Sequence, residues 1–154
     1  MISVLTGLYP ITSGSAIVGG FDVKTQIQQI YKSIGICPQF DILWGDLSIS
    51  EHLYFYARLK GVKAKDENKV VEKALKDVNL FELRKRITKN LSGGERRRLS
   101  IAVALLGDPK VIFLDEPTTG LDPEVRRIIW NIISASRKGR TVVLTTHSME
   151  VLIS

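Results

Sequence analysis

The sequence predicts an α/β fold, a mostly parallel sheet flanked by helices with a helical region inserted in mid-chain. Three observations carry the prediction. Residues 111–114 (Val-Ile-Phe-Leu) and 142–145 (Val-Val-Leu-Thr) lack polar alternation, as expected of strands buried on both faces of a parallel sheet. Stretches with apolar residues at helical spacing lie between the strand-like runs. Finally, residues 90–95 (Asn-Leu-Ser-Gly-Gly-Glu) read as a helix start built to hold an anion.

Taken in order, residues 1–6 read as the tail of a helix closed by Gly7, and Pro10, Ser13 and Gly14 make a turn. Residues 15–18 form a short strand that Gly19 and Gly20 turn. A helix over 26–33 places Ile27, Ile30 and Tyr31 on one side. Residues 34–37 are a strand, and Pro38 ends its pairing. Gln39 then falls where a strand emerges at the sheet edge, a usual ligand position in open α/β folds. Ser48 and Glu51 make a capping box for a helix that Gly61 terminates. Leu53, Phe55, Tyr56 and Leu59 cover much of that helix, so it is expected to pack on more than one side. An amphipathic helix over 66–78 presents Val70, Val71, Ala74, Leu75 and Val78, and residues 80–86 add a further turn or two.

Ser92 is the next N-cap, and Glu95 completes a second capping box. Gly93 and Gly94 have no side chains, so a phosphate can approach the free backbone N–H groups of the first turn. Leu99, Ala102, Val103 and Leu106 form the apolar face, and Gly107 with Pro109 stops the helix. Asp115 ends the strand over 111–114, where a carboxylate is costly unless it binds something. Asp122 caps the next helix, Pro123 takes its first position, and Ile128, Ile129, Ile132 and Ile133 supply its core face. Gly139 ends it before the strand over 142–145.

The 154 residues, 44% hydrophobic and 25% charged, suit one globular domain with a real core. The net charge of +6 invites a nucleic-acid reading. However, the positives at 84–89 and 96–98 have no interleaved aromatic residues for base stacking. They read as a solvated face, or one that meets phosphates or lipid headgroups. The single Cys37 forms no internal disulfide and reads as a buried, inert thiol. No run approaches the roughly 20 apolar residues of a membrane span, and no signal peptide is evident.

The motif order carries a resemblance. Pro38-Gln39 is followed by Leu91-Ser92-Gly93-Gly94-Glu95. Next come Val111-Ile112-Phe113-Leu114-Asp115-Glu116-Pro117, Thr119-Gly120-Leu121-Asp122, and finally His147. This resembles the nucleotide-binding domain of ABC transporters: Q-loop, signature, Walker B with its glutamate, D-loop, switch histidine. The resemblance covers nearly the whole chain and implies a P-loop NTPase-type fold. The catalytic core would lie at 1–47 and 92–154, and a helical subdomain at about 48–91 would run into the signature helix.

The resemblance also implies the roles. Asp115 and Gln39 would serve Mg2+, Glu116 would polarise the water attacking the γ-phosphate of ATP, and His147 would contact that phosphate. Ser92, Gly93 and Gly94 would bind ATP held by a second nucleotide-binding domain in a head-to-tail dimer. Asp122, besides capping its helix, would cross that interface. His52 has no such context and reads as an ordinary helix residue. The segments Gly35–Trp44, Arg97-Arg98-Leu99-Ser100 and Asp122–Trp130 resemble the A subfamily, which mostly moves lipids. That implies transmembrane partner domains, a lipid substrate, no nucleic acid, and a place on the cytosolic face of a membrane. The phosphate-binding loop Gly-x-x-x-x-Gly-Lys-Ser/Thr, which the resemblance places just before Met1, is absent, and Val151-Leu152-Ile153-Ser154 does not continue the acidic helix it implies, so both ends look truncated and the chain alone is expected to be inactive. Two alternatives remain: a soluble ABC ATPase acting on nucleic acid or ribosomes, and a non-catalytic fragment.

Overall fold

A computed structural model describes residues 2–7 and 9–146. In chain order the elements are α1 (Ile2–Leu5), β1 (Ile17–Val18), β2 (Phe21–Asp22), α2 (Ile27–Ser33), β3 (Ile34–Cys37), α3 (Ile49–Leu59), α4 (Glu67–Asp77), α5 (Gly93–Leu105), β4 (Val111–Asp115), α6 (Pro123–Ser136) and β5 (Thr141–Thr145). Single 3-10 turns at Ala64–Asp66, Phe81–Leu83 and Thr88–Asn90 punctuate the connections.

The sheet order is β3-β4-β5, with both pairings parallel. Strand β4 is therefore central, and its residues Val111 to Leu114 are all buried, as the unbroken apolar run requires. Strand β5 differs from expectation. Thr141 is exposed and the rest only half-buried, because among the described residues β5 pairs with β4 alone. The short hairpin of β1 and β2 forms a separate two-stranded sheet.

One core cluster joins α3, α4, α5, α6 and β4 through Leu53, Leu75, Leu99, Ile112 and Ile129. A smaller one gathers Ile2, Val18, Ile30, Ile34 and Phe113 on the other face. Both capping boxes form. The Ser48 and Ser92 hydroxyls accept from the backbone N–H of Glu51 and Glu95, whose carboxylates accept in return. Asp122 does stand at the N-cap of α6, but its side chain makes no capping bond. Its backbone carbonyl instead takes the Arg126 N–H.

Helix α3 packs on more than one side, against α4 and α5, although Phe55 and Leu59 stay 45% and 70% exposed. One reading of α3 needs correction. His52 is fully buried and far from ordinary. The Trp44 backbone N–H donates to Nε2, which fixes Nδ1 as the protonated nitrogen, and that donates to the Ser48 carbonyl. The ring also stacks on Trp44, so it fastens the segment after Gln39 to α3.

Cys37 is buried at the end of β3, and burial pushes its thiol up to about 12. The folded state thus favours the neutral thiol. Stability from this group is complete below the ordinary thiol range near 9 and is lost as pH rises toward 12. At pH 8 a maleimide or iodoacetamide is expected to label the native chain roughly a thousandfold more slowly than the denatured chain. Equal rates would show that the site opens readily.

Candidate functional site

The carboxyl ends of β3 and β4 lie side by side; β4 ends on Asp115, and the loops leaving the two strands carry Gln39 and Glu116. Asp115 is half-buried, and its Oδ1 accepts the hydroxyl of Thr145 from the end of β5. Glu116 follows with φ 46°, in the left-handed region. Among the described residues only Asn79 and Asp108 share a positive φ without being glycine, and those types tolerate it. Glutamate does not, so the turn is imposed by its surroundings. The Glu116 N–H donates to the Thr145 carbonyl at 3.1 Å, and its Oε2 accepts the Thr119 hydroxyl at 2.8 Å. The carboxylate is thereby held at the sheet edge rather than left to rotate.

Ser92, Gly93 and Gly94 open α5, with Ser92 and Gly93 exposed. The two glycines have different reasons to be glycine. A Cβ on Gly94 would stand 2.6 Å from Val125 Cγ1, so Gly94 allows α5 and α6 to approach. A Cβ on Gly93 would meet only Leu121 Cδ2, at an ordinary 3.9 Å. Packing does not require glycine there, whereas close approach of a ligand to the first-turn N–H groups would. Leu121 and Val125 lie on either side of Asp122, so the start of α6 lies against the start of α5.

The expectation that Arg96, Arg97 and Arg98 form a solvated cluster fails at Arg97, which is 5% exposed. Its Nε donates to the Pro117 carbonyl at 2.9 Å. Nη1 donates to Pro38 O at 2.6 Å, Gln39 O at 3.4 Å and Asp41 Oδ1 at 3.2 Å. Nη2 donates to Asp115 O at 2.8 Å and Glu116 O at 3.2 Å. One guanidinium thus brings together the segment after β3, the end of β4 and helix α5. Composition gave no hint of this, since an Arg-Arg-Arg run reads as surface.

Gln39 itself is exposed at the mouth of this junction, and His147 lies outside the described residues. Among the described residues no cluster of three or more His, Cys, Asp or Glu is placed to hold a metal. Asp115 and Gln39 offer hard oxygen donors of the kind Mg2+ takes, and that ion is commonly held by one or two carboxylates plus phosphate and water.

The parallel α/β sheet, with paired carboxylates at the end of its central strand, matches a P-loop NTPase-type α/β fold. The chain belongs to the ABC transporter family, whose ABC transporter model matches residues 1–119. It is 52% identical over 151 residues to ABC transporter A family member 2 of Arabidopsis thaliana, covering 97% of this chain and 15% of that protein. Against ABC transporter A family member 9 of Dictyostelium discoideum the identity is 53% over 149 residues, with 97% and 18% covered. The chain therefore spans less than a fifth of these relatives' length. In fold it matches a dimeric ATP-binding cassette, MJ0796, in a post-hydrolysis state with ADP and Pi, at TM-score 0.83 and 24% identity, covering 97% of this chain and 69% of that one. No helix among the described residues is long and apolar enough to cross a membrane.

Proposed function

We propose that the chain is the ATP-hydrolysing domain of an A-family transporter that moves lipid, working on the cytosolic face of a membrane. The observation that carries this reading is the end of β4, where Asp115 and a backbone-strained Glu116 are tied to the helix that begins at Ser92. Residues 48–91 serve as the helical subdomain, and the rest as the catalytic core.

Asp115 and Gln39 would hold Mg2+, which would supply neutralisation of charge on the phosphates. Glu116 accepts a proton from the water that attacks the γ-phosphate, and His147 contacts that phosphate. Ser92, Gly93 and Gly94 offer the N-terminus of α5 to ATP on a second nucleotide-binding domain, with Asp122 at the shared interface. The dimeric state of MJ0796 supports such a partner. These 154 residues contain no Gly-x-x-x-x-Gly-Lys-Ser/Thr stretch, so alone they are expected not to turn over ATP.

Transmembrane domains are the other partners. An open groove of about 670 Å³ lies on α3, lined by Leu47, Tyr54, Phe55 and Leu59 together with the charged Glu51 and Arg58, and exposed Phe40 and Ile42 follow the Q-loop. Apolar surface of this kind marks docking sites.

Gly93→Ala in the whole transporter tests the reading. The added methyl has room, so the melting temperature is expected to stay within about 2 °C. ATP turnover is expected to fall more than about tenfold, because the methyl occupies the phosphate's approach. Unchanged turnover in a folded Gly93→Ala transporter would remove the signature from the mechanism.

A further inference from the structure

We propose that Arg97 is a positioning residue for ATP hydrolysis. Its buried guanidinium fixes the backbone beneath Gln39, Asp115 and Glu116 to the helix whose first turn carries Ser92 and Gly93. The proposal rests on the ATPase reading above and adds a residue that reading does not use.

The geometry is specific. All three guanidinium nitrogens are engaged, and the acceptors come from two loops that lie 18–20 and 56–59 residues away in sequence. Five of the six acceptors are backbone carbonyls, so Arg97 sets where the chain runs rather than where one side chain points. Asp41 supplies the opposite charge that a buried cation needs, and the Ser100 hydroxyl, one turn further along α5, holds the same Asp41 oxygen at 2.7 Å. Arg97 lies five residues after Ser92 on a continuous helix, so a displacement of the α5 N-terminus is passed to the loops by one rigid side chain. Glu116 depends on this support, because its left-handed backbone persists only when neighbours impose it. The neutral side chain of glutamine cannot span these acceptors. Lysine has three donors and no planar fork, so it can satisfy only some of them.

Arg98 provides an internal control. It sits on the same helix and donates to the carbonyls of Val78 and Asn79, away from both loops. The experiment measures steady-state ATP hydrolysis and melting temperature of the whole transporter carrying Arg97→Gln, Arg97→Lys, Arg98→Gln or Glu116→Gln. Arg97→Gln is expected to lower kcat roughly 100-fold with KM for ATP within about twofold, since a small misplacement of reacting groups costs that much. Arg97→Lys is expected to recover part of kcat, and Arg98→Gln to keep it within about twofold even if the melting temperature drops. Adding Arg97→Gln to Glu116→Gln is expected to cost nothing more. If Arg97→Gln fails to fold, Arg97→Lys decides: a lowered kcat at unchanged KM supports the role. A stalled Glu116→Gln beside full turnover in the Arg97 variants would overturn this proposal alone. So would losses in the Arg97 and Arg98 variants that merely track melting temperature. Normal turnover in Glu116→Gln would overturn the ATPase reading, and this proposal with it.

Discussion

Gly35→Ala is expected to abolish the folded domain. Gly35 lies in β3 directly beneath α5, and a Cβ there would stand 1.9 Å from the Ala104 carbonyl oxygen and 2.9 Å from its carbon. Both atoms are backbone, so no side-chain rotation relieves the clash; α5 itself must move. That helix carries Ser92 at one end and Arg97 in its second turn, and it packs Leu99 and Ile101 into the core. Overpacking of this kind costs upward of about 3 kcal/mol, a large share of the roughly 5–15 kcal/mol that holds a domain together. The expected result is loss of the cooperative thermal transition and rapid proteolysis. Gly45→Ala is the matched control, since its Cβ would meet Lys89 Cβ at an ordinary 3.7 Å. It is expected to be neutral or mildly stabilising. A Gly35→Ala domain that melts like the parent would show that α5 does not lie as close to β3 as the structure places it.

Glu116→Gln is expected to lower ATP turnover of the transporter by about 10²–10⁴-fold, the usual share of a general base. The substitution keeps size and shape. A glutamine amide oxygen can still accept the Thr119 hydroxyl that Oε2 now accepts, and the backbone bond to Thr145 is untouched. The strained turn therefore survives while the proton acceptor is lost. Binding of Mg-ATP is expected to be retained, because Asp115 and Gln39 remain. Phosphate release measured at saturating ATP reads the effect, and wild-type turnover would remove Glu116 from the chemistry.

What could be read from the sequence was local. Each capping box is an i, i+3 relation, so Ser48 with Glu51 and Ser92 with Glu95 were visible without a fold. Strand β3 has the expected bounds, because an apolar run ended by Pro38 has few other readings. The paired carboxylates at the end of β4 were equally plain. What escaped was non-local. Arg97 is buried only because carbonyls from two distant loops converge on it. His52 is a fastening only because Trp44 and Thr88 arrive beside it. An isolated glycine inside a strand is a known mark of close backbone approach, and Gly35 carries that mark, but the strand over 34–37 was legible only as an apolar run ended by Pro38. The exposure of Phe55 and Leu59 was not legible either, since apolar character alone does not say whether a neighbour is present.

If Glu116 activates the water that cleaves ATP, and the site closes on the signature at residues 91–95, one variant reports both. The most direct measurement is the identity of the nucleotide retained by the Glu116→Gln transporter after incubation with Mg-ATP and removal of free nucleotide, with and without Gly93→Ala. Uncleaved ATP is expected on Glu116→Gln, with loss of that retention when Gly93→Ala is added. Retained ADP, or ATP retention indifferent to Gly93, would contradict that expectation.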